Sequence, residues 1–320
     1  MTRYQRQTML PEIGAQGQQR LAQARVLVVG AGGLGCSLLP LLAGAGVGYL
    51  RIYDADQVAV HNLHRQTLYS MDDIQLPKVL CASRALQQLN PECQVDAVQQ
   101  RLSLHNLAEA LTDIDLVIDA ADNFAVTYQL SDACQPRAIP LISASVLGLR
   151  GYVGGFCASA PSYRAIFPSL PATAANCNTA GVMGPAVATL GAIQAQMALS
   201  ILLDLSPSPL GCMVNCDFAR WHFSQFRFDG APEPVGPQTP FIDAQRLTAE
   251  DCVVELRGTE EAPQSVAGHA IRLLPQQIAD WQPPADQRIV LVCASGIRAA
   301  RAAAELEQRG YLRLAILAAG

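Results

Sequence analysis

Gly30, Gly32 and Gly35 stand in "VVGAGGLGCS" with the G-x-G-x-x-G spacing of a nucleotide-binding turn, with Gly33 between them. In such a turn the first glycines let the chain reverse tightly and let backbone approach phosphate oxygens. The turn then aims a helix N-terminus at the anion. Asp54 closes the next apolar run, "GYLRIYDAD", where an acid can bind ribose hydroxyls. To this point a nicotinamide enzyme and an ATP enzyme explain the residues equally well. The following residues separate them. "HNLHRQTLYSMDDIQLPK" supplies Asn62, Arg65 and Lys78, and "DLVIDAADN" ends an apolar run near Asp122. A triphosphate needs cations to neutralise it and an acid to hold magnesium against it; a dinucleotide needs far fewer. Taken singly, Arg65 and Lys78 read as solvated surface charges and Asp122 as a helix N-cap. Their order after the glycine turn favours ATP.

Two cysteines have settings suited to thiolate chemistry. Cys177, in "NCNTAG", precedes a helix start marked by Gly and Pro. Cys293, in "LVCASGIRAA", stands at a strand end before a short loop and a helix, and Arg298 closes the loop. Successive N–H groups around such a loop stabilise an anion at the sulfur. Each cysteine also reads as a small residue filling core space.

The elements that must position these residues read as α/β. "ARVLVVGAGGLG" is a β-branched strand entering a turn and helix, "GYLRIYDAD" and "DLVIDAADN" are further strands, and "IPLISASVLGLRGYVGGF" holds more. "AVATLGAIQAQMALSILL" has the length and spacing of a buried helix. The alternation predicts a Rossmann-like ATP-binding domain around a mostly parallel sheet over residues 1–228. "DGAPEPVGPQTP" cannot continue a helix or a central strand, so 229–240 is expected to be a Pro-rich linker. A small second α/β domain follows over 241–320. Its strands are "CVVELR", "IVLVC" and "LRLAIL", and its Ala-rich helix closes at Gly310.

Bulk properties narrow the class. Half of the 320 residues are hydrophobic and only 15% are charged, as in a well-packed enzyme. A net charge of -5 argues against nucleic acid, whose phosphates call for a basic face. The opening "MTRYQRQTML" is too polar for a signal peptide. The ten cysteines include no C-x-x-C pair and suit reduced cytoplasmic thiols. Val26 to Leu50 carries no charge and is long enough to cross a bilayer. Its glycines, Pro40 and strand-like start favour a buried strand-turn-helix, so no membrane is expected.

"RYQRQ" (Arg3 to Gln7), "GAGGLG", "DAD" with "NLHRQ", "PK", "DAADN" and "CNTAGVMGP" (Cys177 to Pro185) occur in the order of one family. The chain resembles the MoeB/ThiF type of sulfur-carrier adenylyltransferase, relatives of ubiquitin-activating enzymes, over about residues 1 to 228. The resemblance implies ATP and Mg2+ as cofactors. It assigns the ribose to Asp54, triphosphate contacts to Asn62, Arg65 and Lys78, and magnesium to Asp122. Asp56, Gln66 and Asn123 belong to the same nucleotide-binding motifs. The arginine matching Arg6 crosses a two-fold interface into the partner's site, which implies a homodimer. The implied substrate is a ubiquitin-like sulfur carrier ending in Gly-Gly, whose carboxylate attacks the α-phosphorus to give an acyl-adenylate. Cys177 matches a cysteine that in some members links covalently to the carrier.

Relatives usually carry two C-x-x-C pairs around a structural zinc. Here Ser162 and Ala165 stand where the first pair belongs, and no second pair follows "FRFDGAPEP". Hydroxyl and methyl groups cannot replace thiolates at tetrahedral zinc, so no structural zinc is expected. Cys212 and Cys216 are read as core residues. The C-terminal segment resembles a rhodanese-like sulfurtransferase domain, in which the Cys293 position carries a persulfide. Its Cys-x4-Arg loop is one residue shorter than that of the related phosphatases. Its opening strand has Glu255 where aspartate is usual, and the domain is short. The resemblance implies sulfur delivery from a persulfide donor, such as a cysteine desulfurase, to make a thiocarboxylate. Two other readings remain: adenylylation of another peptide C-terminus without sulfur transfer, and a carrier-binding module without catalysis. Intact Arg65, Lys78 and Asp122 count against the second.

Overall fold

The computed structural model describes residues 3–168, 181–236 and 238–319. Strands β1 (Arg25–Val29), β2 (Tyr49–Tyr53), β3 (Gln94–Val98), β4 (Leu116–Asp119) and β5 (Leu141–Leu147) run parallel. β6 (Arg150–Phe156), β7 (Cys212–Asp217) and β8 (His222–Arg227) extend the same sheet antiparallel. Their spatial order is β3-β2-β1-β4-β5-β6-β7-β8. β1 and β4 are apolar along nearly their whole length because helices cover both of their faces. The chain leaves β1 toward β2 on one side and meets β4 on the other. A crevice therefore opens beyond the ends of β1 and β4, where such sheets bind ligands.

Helices α1 (Gly14–Gln23), α2 (Gly33–Ala45), α3 (Lys78–Leu89), α4 (Phe124–Cys134) and α5 (Gly184–Leu202) divide between the two faces. Leu38 and Leu42 of α2, and Leu190 and Ala198 of α5, pack with Val26 and Val28 in one core. Tyr128 and Leu130 of α4 pack with Leu27 and Val29 in the other. The uncharged run from Val26 to Leu50 is thus β1, α2 and the start of β2, and it is buried as expected. α5 is long and apolar enough to cross a membrane by length and composition. It instead buries Ala186, Val187, Leu190 and Ala198 against α2 and the sheet.

No helix or strand occurs among the described residues of 229–240. Beyond it, β9 (Cys252–Glu255), β10 (Ile271–Arg272), β11 (Ile289–Cys293) and β12 (Leu314–Ala318) form a parallel sheet in the order β10-β9-β11-β12. Helix α6 (Ile297–Gln308) leads from β11 to β12. This unit does not hang free. Phe241 is buried, its backbone bridges to Ile316 of β12, and its ring lies 6.3 Å from that of Tyr128 on α4. One apolar core runs through Tyr128, Phe241, Leu291 and Ile316. Burying a side chain the size of Phe241 contributes about 1.5–3 kcal/mol, enough to seat the second unit on α4.

Candidate active site

The glycine turn is built for close approach. Gly30 has φ +103°, and a Cβ there would lie 2.6 Å from the Ala120 carbonyl oxygen. A Cβ on Gly35 would lie 2.3 Å from the carbonyl oxygen of Gly30, and one on Gly33 would strike Val187 at 2.7 Å. The turn is also held from outside. Asp54 Oδ2 accepts the Ala31 N–H at 2.8 Å, and the Tyr69 hydroxyl donates to the Ala31 carbonyl at 2.7 Å. Asp54 Oδ1 accepts the Asp56 N–H at 2.8 Å. Burial raises the Asp54 carboxyl above its ordinary range, against the opposing pull of Lys78 and these N–H groups.

In front of the turn lies a cavity of about 470 Å³. Gly30, Gly32, Gly33, Asp54, Asp56, Asn62, Arg65, Gln66, Lys78, Asp122 and Asn123 all line it. Gly35 does not; it sits behind the turn, where it admits α2. Lys78 is buried, and its Nζ donates to Asp56 Oδ2 at 2.9 Å. Arg65 is tethered by Asn62 Oδ1 at 3.0 Å, His64 Nε2 at 2.8 Å and the His61 carbonyl at 3.3 Å. Gln66 is buried in the wall, and its Oε1 has no partner among the described residues. An orphaned acceptor beside an open, glycine-walled space fits a polar ligand, and Arg65 and Lys78 in one cavity fit phosphates.

Asp122 was open to a bland reading as a helix cap. The cap of α4 is instead Asn123, whose Oδ1 accepts the Ala125 N–H at 2.9 Å. Asp122 is left exposed at the cavity, and its carboxylate takes no hydrogen bond from any described residue. It fits a magnesium ion whose other ligands are phosphate and water. No group of three or more His, Cys, Asp or Glu able to hold a metal occurs among the described residues.

Several residues of this region carry no sequence signal. Asp119 is wholly buried at the end of β4, and burial pushes its carboxyl up to about 6. It accepts hydrogen bonds from the Thr127 hydroxyl at 2.6 Å, the Ser143 hydroxyl at 2.8 Å and the Ala121 N–H at 3.1 Å. Arg101, Ser145 and Tyr152 line the cavity, as do Ser295 and Ile297 from the second unit. Ser145, Leu147 and Tyr152 also line an adjoining groove with Arg150, Asp217 and His222 on β6 to β8.

Arg6 lies elsewhere. It is exposed in a single helical turn, Gln5–Thr8, and does not line the cavity of its own chain. Its neighbours Arg3 and Gln7 bond to the carbonyls of Leu89 and Ala45, at the C-terminal ends of α3 and α2.

At the position where the resemblance implies zinc ligands, Ser162 meets a carboxylate. The Ser162 N–H and hydroxyl donate to Glu233 at 2.7 and 2.6 Å, and Gln135 Nε2 donates to the same carboxylate at 3.3 Å. Ser162 also caps a short helix by accepting the Ala165 N–H at 3.2 Å. A hydroxyl, a methyl and one carboxylate do not make a tetrahedral zinc set. Of the two cysteines on β7, Cys216 is buried and Cys212 is partly exposed.

Cys293 ends β11 and is wholly buried. Its Sγ accepts one N–H, from Ala299 at 3.4 Å, rather than the run of N–H groups that the loop pattern suggests. Arg298 pairs with Glu261, with one Nη–O contact at 2.8 Å, and holds that carboxyl below its ordinary range. Arg257 pairs with the buried Glu255 at 2.8 Å. Cys177 lies outside the described residues.

The ThiF family matches residues 4–235. The chain is 40% identical over 225 residues to a sulfur carrier protein adenylyltransferase of Thermus thermophilus, covering 68% of this chain and 83% of that protein. It is 39% identical over 242 residues to the SAMP-activating enzyme E1 of Haloferax volcanii, covering 75% and 88%. It is 44% identical over 206 residues to the adenylyltransferase and sulfurtransferase MOCS3 of Culex quinquefasciatus, covering 63% of this chain and 47% of that protein. The chain thus spans about half the length of the MOCS3 relatives it matches. Among solved structures, E. coli MccB with MccA-N7isoASN shares the fold, with a TM-score of 0.65 at 21% identity over 72% of this chain and 74% of that one. A glycine turn backed by Asp54, Arg65 and Lys78 in one cavity and a family match over most of its length together make this chain a member of the ThiF family.

Proposed function

We propose that this protein is an adenylyltransferase that activates the C-terminal glycine of a ubiquitin-like sulfur carrier with ATP and then helps convert it to a thiocarboxylate. One observation carries the first half: the glycine turn, Asp54, Arg65, Lys78 and Asp122 share one cavity. The ribose bonds to Asp54, while Asn62, Arg65 and Lys78 offset the phosphate charge. The carrier's carboxylate oxygen attacks the α-phosphorus, the bond to the β-phosphate oxygen breaks, and pyrophosphate leaves. Asp122 would hold a magnesium ion, which would supply charge neutralisation at the phosphates. The protein's own work is positioning and electrostatic stabilisation. The groove along β6 to β8 joins the cavity through Ser145, Leu147 and Tyr152, and it offers the carrier's Gly-Gly tail a way in. Arg6 acts on the partner's site in a cytoplasmic homodimer.

Sulfur arrives at Cys293 as a persulfide, from a donor such as a cysteine desulfurase. Its terminal sulfur attacks the acyl-adenylate carbonyl and AMP leaves. A second thiol, for which Cys177 is the family's choice, then attacks the resulting acyl disulfide and releases the thiocarboxylate. A cellular thiol reductant reopens the disulfide left behind. Burial of Cys293 favours one rival, adenylylation without sulfur transfer.

The test mixes the protein with Mg-ATP and candidate Gly-Gly-ending carriers and reads the intact mass of each carrier. A carrier that gains AMP supports the first half. Replacement of one oxygen by sulfur, once a persulfide donor is added, supports the second. AMP transfer without sulfur leaves the rival standing, and no adduct on any carrier sinks the reading.

A further inference from the structure

The cavity described above is not closed by the family's own span. The ThiF match ends at residue 235, yet Ser295 and Ile297 line the same cavity as Gly30, Asp54 and Asp122. They belong to the loop between β11 and α6, in the second α/β unit. Ile297 is buried there, and Ser295 is half-buried with no hydrogen-bond partner for its hydroxyl among the described residues.

The loop is seated firmly. Gly296 has φ +82°, and a Cβ on it would lie 3.0 Å from the Phe241 ring and 3.3 Å from the Ala125 side chain. Ala125 sits between two cavity-lining residues, Phe124 and Val126. Phe241 itself is buried against Tyr128 of α4. The same helix that follows Asp122 thus carries the second unit, and the loop reaches the cavity because a glycine allows the approach.

We propose that Ser295 and Ile297 are positioning residues of the adenylation site, and that the C-terminal unit completes the pocket for ATP and the acyl-adenylate. This rests on the nucleotide reading given under the proposed function. The unit then has a role in the first half-reaction that is separate from any sulfur chemistry at Cys293. Side chains that narrow the cavity from this wall weaken nucleotide binding in proportion to their volume.

The experiment is calorimetric titration of the full chain with a non-hydrolysable ATP analogue and magnesium, which reads binding without any carrier. The variants are Ser295→Ala, Ser295→Leu and Ser295→Trp, with Ile297→Ala as a change in the opposite sense. Arg301→Trp, at an exposed position on the same helix, is the control. Ser295→Trp is expected to raise the dissociation constant about tenfold or more, with Leu between Ala and Trp. Ile297→Ala, which removes part of the wall, is expected to weaken binding several-fold. Arg301→Trp is expected to bind as wild type does. Wild-type binding by Ser295→Trp overturns the inference and leaves the nucleotide reading intact. Equal loss in Arg301→Trp overturns it as well, because the effect would then belong to the helix and not to the cavity wall. A wild-type chain that binds no analogue removes the nucleotide reading itself.

Discussion

The molecule contains two versions of one device. In each sheet a parallel strand ends, a glycine with positive φ turns the chain, and a helix follows: Val29, Gly30 and α2 in the first, Cys293, Gly296 and α6 in the second. Both turns face the same cavity. The difference lies in what already fills them. The first turn has open space before it, an orphaned Gln66 oxygen beside it and an Asp122 with no hydrogen-bonded partner among the described residues. The second holds a wholly buried thiol, and its two arginines are matched by Glu255 and Glu261. One site is arranged to receive a ligand. The other has its cations already paired and its sulfur already buried.

Four experiments sharpen or break that contrast. The largest effect is expected from Cys293→Ala. Thiocarboxylate formation from a persulfide donor should fall to background, while carrier-dependent pyrophosphate exchange continues. Free sulfide should restore product by attacking the acyl-adenylate directly. Product at the wild-type rate from the persulfide donor would make the second turn a bystander. Next comes Asp122→Ala, which should cut pyrophosphate exchange by roughly 10²–10³-fold, the scale for losing one group that offsets developing charge. Its melting temperature should stay near that of wild type, since Asp122 is exposed. Unchanged exchange would show that the first turn has been misread.

Glu233→Ala should lower unfolding stability by about 1–2 kcal/mol, because Glu233 is exposed but its loss takes the acceptors away from the N–H and hydroxyl of buried Ser162. Denaturant melts read this directly, and elemental analysis of the same sample should find well under one zinc per chain. Stoichiometric zinc that survives dialysis would mean that some other donor set holds it. The smallest effect concerns Asp119, whose folded carboxyl is raised to about 6 by burial. A raised acid favours the folded state in its protonated form. Its contribution is therefore complete below about pH 4 and is lost as pH rises through about 6. Asp119→Asn should flatten the stability profile across that window. A profile as steep as wild type's would place the titration elsewhere.

Much of the first site was legible in the sequence because its chemistry is local. The glycine spacing, Asp54 at the next strand end and the order of Asn62, Arg65, Lys78 and Asp122 each sit within a few residues of the element that presents them. Asp119 was not legible. The strand ending in "DAAD" offers two acids, and only the packing of Thr127 and Ser143 around the first shows that it is buried. Ser295 and Ile297 were beyond reach for a different reason. Their place in the cavity depends on Phe241 docking against α4 across a Pro-rich segment, a contact between distant parts of the chain with no periodicity to announce it. Arg298 was read as closing the loop at Cys293, but which acid it would meet depended on Glu261, far away in sequence. The antiparallel half of the large sheet was only partly anticipated. β5 and β6 are strong apolar runs, whereas every residue of β8 is exposed and so carries little pattern.

The clasp of Ser162 and Glu233 changes how this region answers to its surroundings. Where a fold is clipped by zinc, the stability of the clip follows the free metal concentration by mass action, and a chelator can dissolve it. The clasp is made of side chains that every copy of the chain carries. If this clasp stands in for such a clip, newly made protein in a zinc-starved cell should reach the same folded fraction as in a zinc-rich one.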